Sequence, residues 1–257
     1  MKSFFTKIIY PEKIIGKYFK KLNKNEKALL IYIILGGIFI SCLIACNLIF
    51  LKFFSIKIEV FNITFTQSVG LIAYPITFLI TDLVSEIYGQ RKAQYLVFSG
   101  IISSMIVFGL IYIANILPAA DFSNTMNQKV DDETFNLVFG QFGVAMAASL
   151  FTYLVCQLID IKIFHFLKKK TKGNYLWLRN NLSTISSQLI DTFLILFLLM
   201  TLSPAEGLEN INDVWKLFKN GFLFKVLIAA IDTLPLYIMV TKMRSYFNLR
   251  IGEEIKL

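Results

Sequence analysis

Residues 93–117, AQYLVFSGIISSMIVFGLIYIANIL, contain no charged side chain. A helix needs about 20 consecutive apolar residues to cross the hydrocarbon core of a bilayer, so this stretch predicts a membrane-spanning helix. The composition agrees, because 56% of the 257 residues are hydrophobic, only 17% are charged and the mean hydropathy is +0.64. These values exclude a disordered chain, a disulfide-stapled secreted domain and an ordinary cytosolic enzyme.

Five further stretches are apolar over a spanning length. Together with 93–117 they predict an all-α integral membrane protein of six transmembrane helices, the others at 28–52, 67–88, 138–166, 181–203 and 217–241. Residues 55–66, SIKIEVFNITFT, alternate polar and apolar side chains and predict a short extended connection or a hairpin. Residues 118–136 form the longest polar loop between spans.

The charge distribution predicts the orientation. If the N-terminus is inside, 19 of the 26 Lys and Arg residues lie on the cytoplasmic side and five on the outer side. This positive-inside bias predicts that both termini are cytoplasmic, and it explains the net charge of +9 without a nucleic-acid partner. We divide the chain into a basic segment 1–27, a six-helix domain 28–245 and a cytoplasmic tail 246–257. The basic segment is either an amphipathic helix on the membrane lipid or a solvated tail.

Ionisable groups within a membrane are costly and mark functional positions, and five of the 17 acids fall within the predicted spans. On the second span, four residues spaced by four share one face: Tyr74, Phe78, Asp82 and Glu86. Pro75 is expected to kink this helix. Two interpretations remain open for the acids. They line a functional cavity, or they cap the inner helix end and pair with Arg91 and Lys92.

Polar stripes also run along the fourth and fifth spans, and both contain the tetrapeptide Gln-Leu-Ile-Asp. The stripes consist of Ser149, Tyr153, Gln157 and Asp160 on one helix and Thr184, Gln188 and Asp191 on the other. Because the two helices run antiparallel, their Gln–Asp pairs are expected to face a common cavity. The alternative is that they form structural hydrogen bonds between helices. On the sixth span, Lys225 and Asp232 share a face, where Lys225 joins an internal charge network or snorkels outward.

Several classes of function have no supporting motif in the sequence. There is no HExxH, no Gly-x-Ser-x-Gly and no phosphate-binding loop, and the three cysteines are expected to be packing residues. The sequence therefore predicts neither a metal site nor a cofactor. Carboxylates, amides and aromatic rings suit a carrier of a small polar or cationic solute. Two alternatives are a substrate-binding subunit that needs ATPase partners and an intramembrane enzyme with paired carboxylates.

Three stretches resemble the YhhQ-type queuosine-precursor transporters of the vitamin-uptake-transporter group. They are residues 74–93, YPITFLITDLVSEIYGQRKA; residues 157–160, QLID; and residues 177–192, WLRNNLSTISSQLIDT. Their order and spacing match over about residues 28–245. One departure is that Phe142, Gly143 and Val144, rather than a basic residue, follow the stretch FNLVFGQ at 135–141.

The resemblance implies a transporter, not an enzyme, in the bacterial cytoplasmic (inner) membrane. It implies import of 7-deazaguanine bases such as preQ0, preQ1 or queuine, and a fold related to the substrate-binding subunits of energy-coupling-factor transporters. Carried onto this chain, it implies substrate-binding residues at Asp82, Glu86, Gln157, Asp160, Arg179, Asn180, Gln188 and Asp191. The residue patterns add five secondary candidates: Tyr74, Phe78, Tyr153, Lys225 and Asp232.

Overall fold

The computed structural model describes residues 21–50, 52–58, 63–120, 130–140, 143–202 and 211–257. Helix α1 is followed by a two-stranded antiparallel hairpin and by the remaining helices. The elements are α1 (Lys24–Leu48), β1 (Phe53–Ile58), β2 (Ile63–Ser68), a 3₁₀ turn (Val69–Ile72), α2 (Tyr74–Tyr88), α3 (Gln90–Ile116), α4 (Asp132–Phe139), α5 (Gly143–Lys170), α6 (Leu176–Leu202) and α7 (Ile211–Phe247).

In the described ranges of the chain, six helical stretches are long and apolar enough to cross a membrane, which confirms the predicted number of spans. They are Lys24–Leu48, Val69–Tyr88, Gln90–Ile116, Met146–Lys170, Leu176–Leu198 and Gly221–Phe247. The fifth span begins before its predicted start at residue 181, and the sixth continues past its predicted end at residue 241. Hydropathy did not include these helical turns in the predicted spans because they carry polar residues such as Arg179 and Arg244. Both arginines form ion pairs with Glu86 inside the protein.

The surface of this bundle is apolar and its interior contains the polar groups. Ile102 and Tyr112 on α3 are 59% and 68% exposed, whereas Asp82, Glu86 and Arg179 are at most 1% exposed. A protein surrounded by lipid favours this distribution, because apolar side chains face the hydrocarbon and polar groups are satisfied internally. The chain is therefore a multi-pass membrane protein.

The predicted extended segment at 55–66 is a hairpin, with Phe53 opposite Ser68 and Ile58 opposite Ile63. The polar loop predicted at 118–136 is wrong in part, because α4 begins within it at Asp132. The Asp131 side chain caps α4 by accepting a hydrogen bond from the Thr134 backbone N–H at 2.8 Å. Hydrogen bonding by the Thr134 side chain, together with this backbone bond, lowers the pKa of Asp131 from its ordinary value.

Pro75 does not lie within a helix interior, so the kink predicted there is wrong. It occupies the first turn of α2, where its missing N–H would have no helical partner. Gly89 alone joins α2 to α3 at a φ of 86°, a left-handed value that favours glycine.

The bundle has two distinguishable ends. The hairpin end contains β1, β2 and the start of α2, and the tail end contains the end of α2 and residues 248–257. The predicted tail is not a free extension, because the Ile255 backbone N–H donates to the Ile87 carbonyl at 2.7 Å. Most of the predicted basic segment, residues 1–20, lies outside the described residues. Helix α1 begins at Lys24 with an Asn23–Glu26 capping box.

Candidate functional site

Buried polar side chains form three layers along α2, at Tyr74, Asp82 and Glu86. These residues are eight and four positions apart, which separates the layers by about 12 and 6 Å along the helix axis. We call them the hairpin-side, middle and tail-side layers. The face predicted from the spacing of four therefore exists, but its members lie in three different environments.

The tail-side layer is a buried ion-pair network around Glu86. Arg179 on α6 approaches both Glu86 oxygens, with Nη1 3.0 Å from Oε2 and Nη2 3.2 Å from Oε1. Arg244 on α7 also pairs with Glu86. Lys168 Nζ on α5 lies 3.6 Å from Oε2 and donates to the Glu86 backbone carbonyl at 2.9 Å. One carboxylate thus joins four helices.

The C-terminal segment completes this network. Glu254 Oε1 accepts a hydrogen bond from Lys168 Nζ at 2.8 Å. The alternative partners considered for Glu86, Arg91 and Lys92, are not its partners in the structure. Gly89 turns the chain between Glu86 and these two residues. Lys92 instead lies near the Tyr32 ring on α1, with its Nζ 6.0 Å from the ring centroid.

The middle layer brings Asp82 of α2 beside Asp160 of α5, close enough for their carboxyl groups to interact directly. Both side chains are essentially inaccessible, at 1% and 0% exposure. Helix α6 contributes hydroxyl groups, since Ser187 Oγ donates to Asp160 Oδ1 at 3.2 Å, and Ser183 and Thr184 are also within reach of Asp160.

The hairpin-side layer contains an ion pair between Asp191 of α6 and Lys225 of α7. Tyr74 Oη donates to Asp191 Oδ1 at 3.3 Å, and Lys225 Nζ lies 5.6 Å from the centroid of the Tyr74 ring. Lys225 therefore joins an internal charge network, but its partner is Asp191 and not Asp232. Phe78 and Tyr153 pack on Tyr74, with ring centroids 5.2 and 5.8 Å away.

Two cavities meet at this layer and share Leu71, Tyr74 and Lys225 in their walls. The larger, at the hairpin end, has a volume of about 450 Å³, and Asp191 and Tyr153 also line it. We call the other one the inner pocket. Its volume is about 20 Å³, which is room for roughly one water. Its polar lining comprises Tyr74, Thr184, Gln188, Lys225 and Asp232, beside Phe78.

The structure does not bring the two Gln–Asp pairs to one cavity. Gln188 lines the inner pocket and Asp191 the larger cavity, while Gln157 and Asp160 line neither. Gln157 Nε2 instead donates to Tyr153 Oη at 3.1 Å. Gln188 and Asp191 are three positions apart on α6, about 4.5 Å along the helix axis, and they lie in the walls of different cavities.

Asn180 also lies apart from both cavities, with its Nδ2 3.3 Å from Thr233 Oγ1.

Sequence reasoning missed three members of the tail-side layer: Lys168, Arg244 and Glu254. Lys168 and Arg244 are indistinguishable in sequence from neighbouring surface cations. The only available signal was that a deeply buried acid such as Glu86 requires a cation partner.

Comparisons with known proteins agree with this architecture. Residues 68–240, from the end of β2 into α7, match the family model described as "Putative vitamin uptake transporter". The chain belongs to the vitamin uptake transporter family. The matched range contains the middle and hairpin-side layers completely, and it ends before Arg244 and Glu254 of the tail-side layer.

Two curated relatives have the same printed name. A "Probable queuosine precursor transporter" of Bacillus subtilis (strain 168) is 29% identical over 182 residues, covering 68% of this chain and 71% of that protein. One of Haemophilus influenzae (strain ATCC 51907 / DSM 11121 / KW20 / Rd) is 26% identical over 181 residues, covering 68% and 69%. No solved structure matches the chain significantly.

These findings confirm the resemblance noted in the sequence. A member of the vitamin uptake transporter family is a transporter and not an enzyme, so the alternative of an intramembrane enzyme is wrong. In bacteria the membrane that such a multi-pass protein occupies is the inner membrane.

Proposed function

We propose that this protein imports queuosine precursors, the 7-deazaguanine bases used in tRNA modification, as a secondary carrier. The printed names of the two relatives support the substrate class. The geometry supports it through one observation above all. The inner pocket places aromatic rings beside an amide and a carboxylate, directly next to the hairpin-side layer.

The inner pocket has groups that match a guanine-like base. Phe78 and Tyr74 provide ring faces on which a flat heterocycle stacks. The Asp232 carboxylate can accept two parallel hydrogen bonds from the N–H edge of such a base. Gln188 is 3% exposed and its Oε1 has no hydrogen-bond partner among the described residues. This oxygen can therefore accept a hydrogen bond from the base.

We propose that substrate reaches this pocket through the larger cavity. A volume of about 450 Å³ is within the range of small-molecule sites, whereas about 20 Å³ is too small for a bicyclic base. Tyr74 and Lys225 line both cavities, so opening the Tyr74–Asp191–Lys225 layer would join them. On this proposal Asp191 contacts the base during entry, whereas Glu86 and Arg179 hold the tail end together.

The proposed direction follows from charge. The tail end carries many cations, including Lys168 to Lys170 and Arg244, and the hairpin end has few. By the positive-inside rule the tail end faces the cytoplasm and the hairpin end, with the larger cavity, faces outward. Both termini would then be cytoplasmic.

The test is uptake complementation in bacteria that can neither make nor import queuosine precursors. The full chain is expressed alone, preQ0, preQ1 or queuine is supplied at low concentration, and queuosine is measured in tRNA. We expect restoration with at least one base, and loss of restoration with Gln188→Leu but not with Gln94→Leu on α3.

An energy-coupling-factor subunit would give a different result in the same assay. A well-expressed chain would then restore queuosine only when its ATPase and membrane partners are also expressed. Failure with every base, with and without such partners, would contradict the proposed substrate class.

A further inference from the structure

The carboxyl groups of Asp82 and Asp160 have no counter-charge in the described part of the chain. The neighbouring cations are already engaged, because Lys225 pairs with Asp191, and Arg179, Arg244 and Lys168 pair with Glu86. None of the ion pairs among the described residues includes Asp82 or Asp160. Within the described structure the two acids are thus fully buried carboxylates without a cation partner.

The other ionisable groups that act on this pair add no positive charge. Asp82 interacts electrostatically with Asp232 from α7 and Glu86 from its own helix, and both are acids. On α5 the buried thiol of Cys156 interacts with Asp160. Helix α6 contributes the hydroxyl groups of Ser183, Thr184 and Ser187 to Asp160.

In the part of the chain that the structure describes, one oxygen atom of each acid also lacks a hydrogen-bond donor. Within the described structure, Asp82 Oδ1 and Asp160 Oδ2 are buried without a hydrogen-bond partner, as are Ser85 Oγ and Gln157 Oε1. Ser85 and Gln157 are each three residues from one of the acids, on the same helix face. Two carboxylates in contact in a medium of low dielectric repel one another strongly unless a cation lies between them.

We infer that Asp82 and Asp160 bind one monovalent cation, H⁺ or Na⁺, whose movement drives substrate transport. The inference rests on the proposed transport function. A proton would bridge the two carboxyl groups directly, and Na⁺ would take their oxygens together with neighbouring hydroxyl or amide oxygens.

Thr184 provides a direct connection between the cation pair and substrate. It lines the inner pocket and its side chain is also within hydrogen-bonding reach of Asp160. Phe78 of the same pocket lies one helical turn from Asp82 on α2. Binding of substrate in the inner pocket and binding of a cation by Asp82 and Asp160 therefore both affect helices α2 and α6.

The test uses the full-length protein in proteoliposomes with radiolabelled preQ1. Two assays are compared. Accumulation is measured with an imposed proton gradient, an imposed Na⁺ gradient or neither, and counterflow is measured with preQ1 on both sides and no ion gradient. We expect one gradient to raise wild-type accumulation at least 10-fold, and the effective gradient distinguishes H⁺ from Na⁺.

Asp82→Asn and Asp160→Asn remove the charge while keeping the side-chain volume. We expect each variant to lose the gradient stimulation but to keep counterflow, because exchange needs no net cation movement. Glu133→Gln removes an exposed carboxylate from α4 and should behave like the wild type in both assays.

Wild-type protein that shows counterflow but responds to neither gradient would overturn the inference and leave the proposed function intact. Because this result needs no variant, a folding defect in the substituted proteins does not affect it. Variants that respond fully to the gradient would also overturn the inference. Absence of wild-type counterflow with every candidate base would overturn both proposals.

Discussion

Arg179 and Glu86 form a salt bridge in which both side chains are completely buried, with Nη1 of the arginine 3.0 Å from Oε2 of the glutamate. The arginine also donates to the Gly173 carbonyl at 3.2 Å, and its guanidinium lies 5.1 Å from the centroid of the Phe164 ring. This pair joins α2 to α6 at the tail end.

Glu86→Gln is expected to destabilise the protein more than Arg244→Gln. The first substitution leaves three cations facing one another with only Glu254 nearby, whereas the second leaves Glu86 with Arg179 and Lys168. Breaking a buried ion pair by removing one partner costs about 3–5 kcal/mol. Thermal unfolding in detergent would measure the difference. Arg250→Gln, at an exposed arginine, is the matched control and should have little effect.

Gly89→Ala and Gly37→Ala should have opposite effects on stability. Gly89 has a φ of 86°, and a Cβ placed there would clash with the Glu254 carboxylate. We expect a loss of about 1–2 kcal/mol from the backbone alone. Gly37 lies in α1, and apart from its chain neighbours and the adjacent backbone of its own helix no described atom lies within 4 Å of the position that a Cβ would occupy there. Alanine at Gly37 should therefore be neutral or stabilise the helix by up to ~1 kcal/mol. Equal unfolding midpoints for the two variants would contradict this account of the turn.

The Asp191–Lys225 pair predicts a rescue experiment. Asp191→Asn should greatly reduce uptake, because it leaves the Lys225 ammonium without its anion next to the pocket. The double variant Asp191→Asn, Lys225→Met removes both charges and should recover most of the thermal stability but not the uptake.

Tyr74→Phe keeps the stacked rings and removes only the hydroxyl that donates to Asp191, so a loss of less than 10-fold in uptake is expected. If Asp191→Asn and Asp160→Asn both transported normally, the proposed use of these carboxylates would be wrong.

Substitution of Phe78 tests base stacking in the inner pocket. Stacking of a base on an aromatic side chain contributes about 1–3 kcal/mol, so Phe78→Leu should raise the KM for uptake roughly 5- to 150-fold. Phe193→Leu on α6, where the side chain is 63% exposed, provides the control and should leave the KM unchanged. A normal KM for Phe78→Leu in folded protein would place the base elsewhere.

The position of an acid within an apolar stretch did not predict its environment. Asp82, Glu86 and Asp191 have the same sequence signal, a carboxylate within a predicted span. In the structure Glu86 has three cation partners, Asp191 has one and Asp82 has none among the described residues. The partners are 34 to 158 residues away in the chain, so no local pattern contains them.

The sequence by itself determined the number of spans, the extended segment between the first two and the membership of the family. These features follow from local chemistry, because bilayer thickness sets the length of an apolar run and residue alternation sets an extended segment. Only the tertiary structure decided which of the buried acids have cation partners and which residues line the two cavities. It also decided that the C-terminal segment packs against the tail end of the bundle. Those outcomes depend on how α2, α5, α6 and α7 are rotated and shifted against one another, and packing across the whole bundle sets that arrangement.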